Sequence, residues 1–366
     1  MNANIRSQTL QDLGERKIVR ELIAPRFPVM DANVIGIGDD CAVLPAPPPG
    51  QALVMTIDPC PTPVVCMVEP LDMYHYGRMT VLINVSDLAA MGARPLGILI
   101  STVMPEDMAV VDYERFLNGL AEASREWSCP VVGGNIKDGP SFTATGSAFG
   151  TVKMECVMRR TGAMPGDRVC VIGEMGLFWA AVLTRLVPNL HLNASYQSIL
   201  DDALYKPVAR IQEGIALAEA RGATACMDSS DGITGCLYEL SSVNQVDIVV
   251  KAYSLRTHPA VSQVASHANI DARKLMFSWG DWELVCTVPP ETYDEVKFLI
   301  ESFGTPCYDI GEVREGTGKV WLEEKGQLGQ LTNFASERFC GTSFFTHGLD
   351  AYLDFLRTQP LAVGLS

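Results

Sequence analysis

The stretch "DMYHYGRMTVLINVSDLAAMGARPLGILISTVMP", residues 72–105, decides the fold. Tyr76, Met79, Ile83 and Leu88 recur at helical spacing, and Gly92 and Pro95 end that pattern. "LGILISTVMP" (96–105) then reads as a buried strand. A long helix that feeds straight into a buried strand belongs to a domain of mixed strands and helices. One residue does not suit the apolar helix. Asp87 places a charge where burial is costly unless the carboxylate is paired or metal-bound.

Upstream, "ALVMTIDPC" (52–60) alternates as one strand and closes on an acid, Asp58. "NVIGIGDDCAVL" (33–44) is apolar on both sides of a Gly-Asp-Asp corner and predicts strand, turn, strand. "GERKIVRELIAPRF" (14–27) predicts a short amphipathic helix. Downstream, residues 111–128 predict an amphipathic helix, and "PVVGGN" (130–135) a strand that runs into an open loop. "SFTATGSAFGTV" (141–152) alternates as a strand. "RRTGAMPGDRVCVIG" (159–173) reads as a junction, so the expected domains are 1–158 and 159–366. In the second, helices are expected at 177–187, at 199–222 with a break at Pro207, and at 293–304. "ATACMDSSDGITGCLYELSSV" (223–243) runs from strand through an acidic corner into a helix. Residues 274–289 end in a strand, and short strands with a terminal helix complete the chain. The expected class is α/β (α+β) in two domains.

Composition excludes several functions. A net charge of −15 leaves no basic footprint for nucleic acid. Hydrophobic content of 48% with 19% charged residues fits a globular chain, and no run of roughly 18 apolar residues predicts a membrane span. The N-terminus lacks the apolar core of a signal peptide. Eleven cysteines without a C-x-x-C pair argue against a zinc ribbon or disulfide framework, and the expected compartment is the cytoplasm.

Four short acidic segments share one design: "GDD" (38–40), "TID" (56–58), "NVSD" (84–87) and "DSSD" (228–231). Hard divalent cations take oxygen ligands, and Mg²⁺ often bridges one or two carboxylates and substrate phosphates. Asp40, Asp58, Asp87, Asp228 and Asp231 therefore form a candidate metal–triphosphate set. Taken singly, Asp40 and Asp231 also read as turn residues and Asp228 as a helix cap. Other nucleotide signatures fail. No G-x-x-x-x-G-K-[ST] occurs, and "GIGDDC" (36–41) lacks the third glycine of a dinucleotide fingerprint. There is no G-x-S-x-G elbow, and the five histidines are isolated.

"GIGDDCAVL", "NVSDLAAMGARP", "GGN…GP", "RRTGAMPGD", "DSSDG" and "GDWELVCTV", in this order, resemble the thiamine-monophosphate kinase family. That family sits in the superfamily of aminoimidazole ribonucleotide synthetase, formylglycinamidine ribonucleotide synthetase, selenophosphate synthetase and the hydrogenase-maturation dehydratase. The resemblance implies an N-terminal α/β domain that pairs strands with a second copy in a homodimer, and a C-terminal α/β domain. It implies transfer of the ATP γ-phosphate to a small-molecule acceptor with Mg²⁺. The N-terminal domain would bind ATP and metal. By this resemblance Asp40 is a magnesium ligand, and Thr56 and Asp58 match a Ser/Thr-x-Asp metal site. Asp87 matches the acid of the Asn-x-Ser-Asp motif. Gly134, beside Gly133, matches an ATP-contacting glycine, and Arg160 an ATP-contacting arginine. Asp228, Ser230 and Asp231 match the metal and ATP group of Asp-x-Ser-Asp-Gly. Lys137 would offset phosphate charge.

Three departures mark the acceptor half. The family's Gly-Gly-Asp is Gly133-Gly134-Asn135 here, which keeps an oxygen ligand but drops a charge. Its substrate histidine falls near Val65, and its substrate-contacting Glu falls on Gly280. Trp279 and Trp282 are expected along an acceptor pocket, with Asp281 or Glu283 as an available base. Two other functions stay open: an ATP-dependent amide- or carbonyl-activating ligase or dehydratase, and a catalytically inactive nucleotide-binding protein. The C-terminus lacks the terminal Cys of the hydrogenase-maturation dehydratase, and no Cys matches the catalytic one of the selenophosphate enzyme.

Overall fold

The computed structural model describes residues 8–28, 36–37, 41–336 and 344–365. Two compact units divide the chain: Met1–Leu88 with Ala93–Glu155, and Ala89–Gly92 with Cys156–Ser366.

Unit 1 is built on a sheet of β1 (Gln51–Met55), β2 (Asp58–Pro59), β3 (Arg94–Met104), β4 (Val131–Asp138) and β5 (Thr143–Lys153). The order is β1-β5-β3-β4, and β2 also pairs with β5. β3 and β4 are parallel, so they need a crossover, and the helix Val110–Glu126 supplies it. That helix buries Tyr113, Phe116, Leu117 and Leu120, one stripe of its amphipathic pattern. The helix Met73–Ala90 follows the expected spacing and carries Asp87 near its C-terminal end.

Three expectations change in unit 1. The single strand of 52–60 is two, broken at Thr56 and Ile57, although Thr56 N still donates to Ala148 O of β5 at 2.9 Å. The segment 14–27 is no uniform helix: a turn at Glu15–Lys17 widens into a π-helix at Ile18–Ile23 and tightens at Ala24–Arg26 before Pro28. The strand expected at 130–135 does not open into a loop after Asn135 but continues to Asp138. The Gly-Asp-Asp corner, Asp40 included, lies outside the described residues.

Unit 2 holds an eight-stranded sheet: β6 (Arg168–Ile172), β7 (Ala225–Asp228), β8 (Val246–Lys251), β9 (Leu284–Val288), β10 (Cys307–Glu315), β11 (Val320–Glu324), β12 (Gln327–Leu331) and β13 (Ala362–Val363). Their order is β13-β12-β11-β8-β10-β6-β9-β7. Helices Leu177–Leu186, Ala194–Tyr205, Ile211–Glu219, Ile233–Asn244 and Tyr293–Glu301 form where the apolar spacing places them. β6 and β9 are buried at nearly every residue, which is why they read as continuous apolar runs.

Candidate active site

Two candidate acids of unit 1 lie among the described residues, Asp87 on the helix Met73–Ala90 and Asp58 on the broken strand. Thr56 Oγ1 donates to Asp87 Oδ2 at 2.5 Å. The hydroxyl thus fixes one oxygen of a half-buried carboxylate. Asp58 stands in β2, in register with Gly146 of β5. A side chain on Gly146 would begin 3.0 Å from Asn84 Cγ, so Asn84 packs under the same row. Asn84 is fully buried. Its Nδ2 donates to Thr80 O at 2.9 Å, while its Oδ1 has no partner. A buried acceptor without a donor calls for an explanation, and a bound cation or donor is one. Asn84 was not among the sequence candidates; its place one helical turn before Asp87 was the available signal.

β4 carries the glycines. Gly133, Gly134, Asn135 and Lys137 lie opposite Leu99, Ile100, Ser101 and Val103 of β3. Gly134 has φ +151°, and a Cβ there would fall 2.7 Å from Ile100 C and 2.9 Å from Ile100 N. The need for glycine at 134 therefore comes from the neighbouring strand. Gly133 is different: its Cβ would meet only Leu99 Cδ2 at 3.1 Å and Ala42 Cβ at 3.6 Å. Asn135 and Lys137, two residues apart, share the exposed face of the strand. A cavity of about 710 Å³ in unit 1 reaches Gly133 and Asn135, with Leu99, Ser101, Thr145 and Phe149 also in its wall.

In unit 2, β7 delivers Asp228 to a corner that ends at Gly232, ahead of the helix Ile233–Asn244. Asp228 is buried and Asp231 exposed. Ser230 Oγ reaches Asp228 Oδ1 at 3.5 Å, and Cys236 Sγ donates to Asp228 O at 3.1 Å. Arg160 is exposed, with its guanidinium 3.5 Å from Glu239, and its backbone carbonyl accepts from Asn244 Nδ2 at 2.8 Å.

The expected acceptor pocket of Trp279, Asp281 and Trp282 is corrected. Both indoles are core residues: Trp279 packs among Trp179, Phe344 and Tyr352. The Asp281 carboxylate is taken up by the start of the helix Leu177–Leu186, where its oxygens accept from Gly176 N at 2.6 Å and Phe178 N at 2.8 Å. Burial, with the Glu283 charge beside it, pushes its pKa up to about 8. Glu283 is buried and gripped by Arg210, Nε to Oε2 at 2.5 Å and Nη2 to Oε1 at 2.9 Å. Burial pushes Glu283 up to about 7 against the pull of Arg210. Neither acid is placed as a free base.

Among the described residues, no three of His, Cys, Asp and Glu converge as an all-protein metal cage. Mg²⁺ rarely uses one. It is held by one or two carboxylates plus phosphate oxygens and water. The carboxylates, the Thr56 hydroxyl and the orphan Asn84 oxygen are hard donors of the right kind.

Comparison with known proteins separates two stretches. Residues 38–152 match the model of the AIR synthase related protein N-terminal domain, and residues 164–322 match that of its C-terminal domain. A thiamine-monophosphate kinase from Synechococcus elongatus is 30% identical over 283 residues, 76% of this chain and 84% of that one. The chain belongs to the AIR synthase related family. Within it, this thiamine-monophosphate kinase-like member is similar to a solved thiamine-monophosphate kinase from Stenotrophomonas maltophilia K279a. The TM-score is 0.70 and the identity 28%, over 81% of this chain and 93% of that chain. A ThiL solved in complex with AMPPCP and TMP has the same fold, with a TM-score of 0.65, 24% identity and coverage of 87% and 96%. In this AIR synthase related protein, Thr56, Asp58, Asp87 and Asn135 fall in the N-terminal match, and Asp228, Ser230 and Asp231 in the C-terminal one. Arg160 stands between the two.

Proposed function

We propose that this protein transfers the γ-phosphate of ATP to a small acceptor in the presence of Mg²⁺, with an acceptor site changed from that of thiamine-monophosphate kinases. The observation that carries the reading is the Thr56–Asp87 contact beside Asp58 and the unpartnered Asn84 oxygen, in a chain similar to thiamine-monophosphate kinases. Mg²⁺ supplies the positive charge that lets carboxylates face phosphate oxygens. Thr56 holds the Asp87 carboxylate in one orientation. Lys137 brings an exposed ammonium along β4, and Asn135 offers an amide where the family pattern has an acid. Asp228, Ser230 and Asp231 form a second group of oxygen donors, and Arg160 an exposed cation. Asp40 completes the proposed metal set. The changes at Asn135, Val65 and Gly280 support an acceptor other than thiamine monophosphate.

A homodimer fits the same reading. Leu53, Met55 and Ile57 alternate along one face of unit 1 and are 50%, 65% and 67% exposed. A row of large apolar side chains in solvent suits an interface, and a second copy is the proposed occupant. No helix among the described residues is long and apolar enough to cross a membrane. The ten described cysteines are free thiols, which supports a reducing compartment, the cytoplasm.

Asn135 also favours a second reading, activation of an amide or carbonyl oxygen by phosphorylation followed by release of phosphate. The test is ATP consumption with Mg²⁺, with and without thiamine monophosphate, followed by mass spectrometry of the products. A stable phosphorylated product supports the kinase reading. Inorganic phosphate with a new condensed or dehydrated product supports the second. Absence of ATP binding sinks both.

A further inference from the structure

The corner that carries Asp228 and Asp231 rests on a residue outside the acidic set. Two hydrogen bonds of 2.8 Å tie it down: Ser229 N donates to Glu283 O, and Glu283 N donates to Ser229 Oγ. They extend the β7–β9 ladder one step past the Asp228–Leu284 pair. Ser229 and Glu283 are both 2% exposed. The chain enters Glu283 through Trp282, a left-handed residue with φ +58°. A bulky residue in that conformation persists only where its surroundings hold it.

Arg210 does the holding. Its guanidinium forks onto both Glu283 oxygens and lies 3.8 Å from Glu213, whose carboxylate accepts from Thr305 Oγ1 at 2.5 Å. The space for the Glu283 carboxylate is left by Gly173, where a Cβ would stand 2.5 Å from Oε1. A buried ion pair is a poor source of stability, since well-packed apolar residues serve as well or better. What a two-bond fork adds is a fixed direction.

We infer that Arg210 and Glu283 are positioning residues that set the Asp228–Asp231 corner for its ligand. The inference rests on the reading of that corner as part of an ATP- and Mg²⁺-binding site. It assigns a role to an arginine that touches no proposed ligand.

The test uses Arg210→Lys and Arg210→Met in the full chain. Lys keeps the charge and loses the fork; Met loses both. Two quantities are read: the Mg²⁺ concentration for half-maximal ATP turnover, and amide exchange over residues 228–232 without nucleotide. R210K should keep a melting midpoint near wild type yet raise the Mg²⁺ half-saturation about tenfold, the usual reach of an outer partner of a metal ligand. Exchange at 228–232 should rise while β6 and β10 stay protected. R210M should show the same changes, larger. Should R210M fail to fold, R210K and Glu283→Gln decide the matter. Wild-type Mg²⁺ dependence and wild-type exchange in folded R210K and E283Q would overturn the inference. If the wild-type protein turns over no ATP at any Mg²⁺ concentration, the functional reading fails, while the exchange arm still decides whether Arg210 sets the corner.

Discussion

Gly133 and Gly134 are neighbours with different reasons to be glycine, and alanine at each separates them. At 134 a methyl group would overlap the carbonyl carbon and amide nitrogen of Ile100, at 2.7 and 2.9 Å, and φ is +151°. Those atoms are backbone, held in register by the parallel β3–β4 ladder, so no rotamer change relieves the overlap. Strain at such a φ costs about 1–3 kcal/mol. Forced overpacking costs about as much again. Gly134→Ala should thus lose about 3 kcal/mol or more, roughly 6–12 °C of melting midpoint for a unit of this size. At 133 the nearest atom is the end of Leu99, which is 38% exposed and able to turn away. Gly133→Ala should melt within about 2 °C of wild type. Its effect should fall on ATP affinity, because the methyl group narrows the cavity wall where a ligand would approach. Thermal unfolding and an ATP titration on both variants decide this. A G134A protein that melts like wild type would refute the account of the β3–β4 approach. A G133A protein with unchanged ATP binding would remove the ligand from that strand.

Two further outcomes follow from named contacts. Asp87→Asn should lower ATP turnover about a hundredfold with little loss of fold, and Thr56→Ala about tenfold, because Thr56 orients the Asp87 carboxylate and carries no charge of its own; steady-state rates at saturating Mg²⁺ check both. The Asp281 carboxyl is pushed up from its ordinary 3.8 to about 8, so the folded state holds that proton more tightly than the unfolded chain. Its contribution to stability is full below pH 3.8 and is lost as pH rises through about 8. Urea midpoints taken between pH 5.5 and 8.5 should fall, and Asp281→Asn should flatten that fall; parallel profiles for the two proteins would refute the assignment.

The sequence made the fold legible where one period dominates. Tyr76 to Leu88 at helical spacing, and the unbroken apolar runs of β6 and β9, left no other reading. It misled where a tertiary partner overrides local cues. The strand through the paired glycines looks set to open after Asn135, yet its pairing with β3 carries it on to Asp138. Trp279 and Trp282 look like a stacking platform beside Gly280, but indole rings fill a core as readily as a pocket, and sequence carries no sign of which. Asp87 was legible because a charge in an apolar helix demands a partner, and Thr56 Oγ1 is one. Arg210 was hidden because its meaning depends on Glu283, far along the chain, and on space left by Gly173.

The acceptor question turns on Gly280. The family resemblance puts a substrate-contacting Glu at this position. Here φ is +108°, and a Cβ would fall 2.6 Å from Phe178 Cε1 and 2.8 Å from Phe178 Cγ. The Phe178 ring lies against Trp179 and Trp279, and its amide is one of the two that Asp281 caps. The missing carboxylate is therefore no single substitution that a Glu could reverse. The space that its Cβ would take is occupied by the Phe178 ring. Asp281, which stands where the family pattern also has an Asp, caps the helix beside it. On the proposed function, the acceptor would then be recognised without a carboxylate at 280.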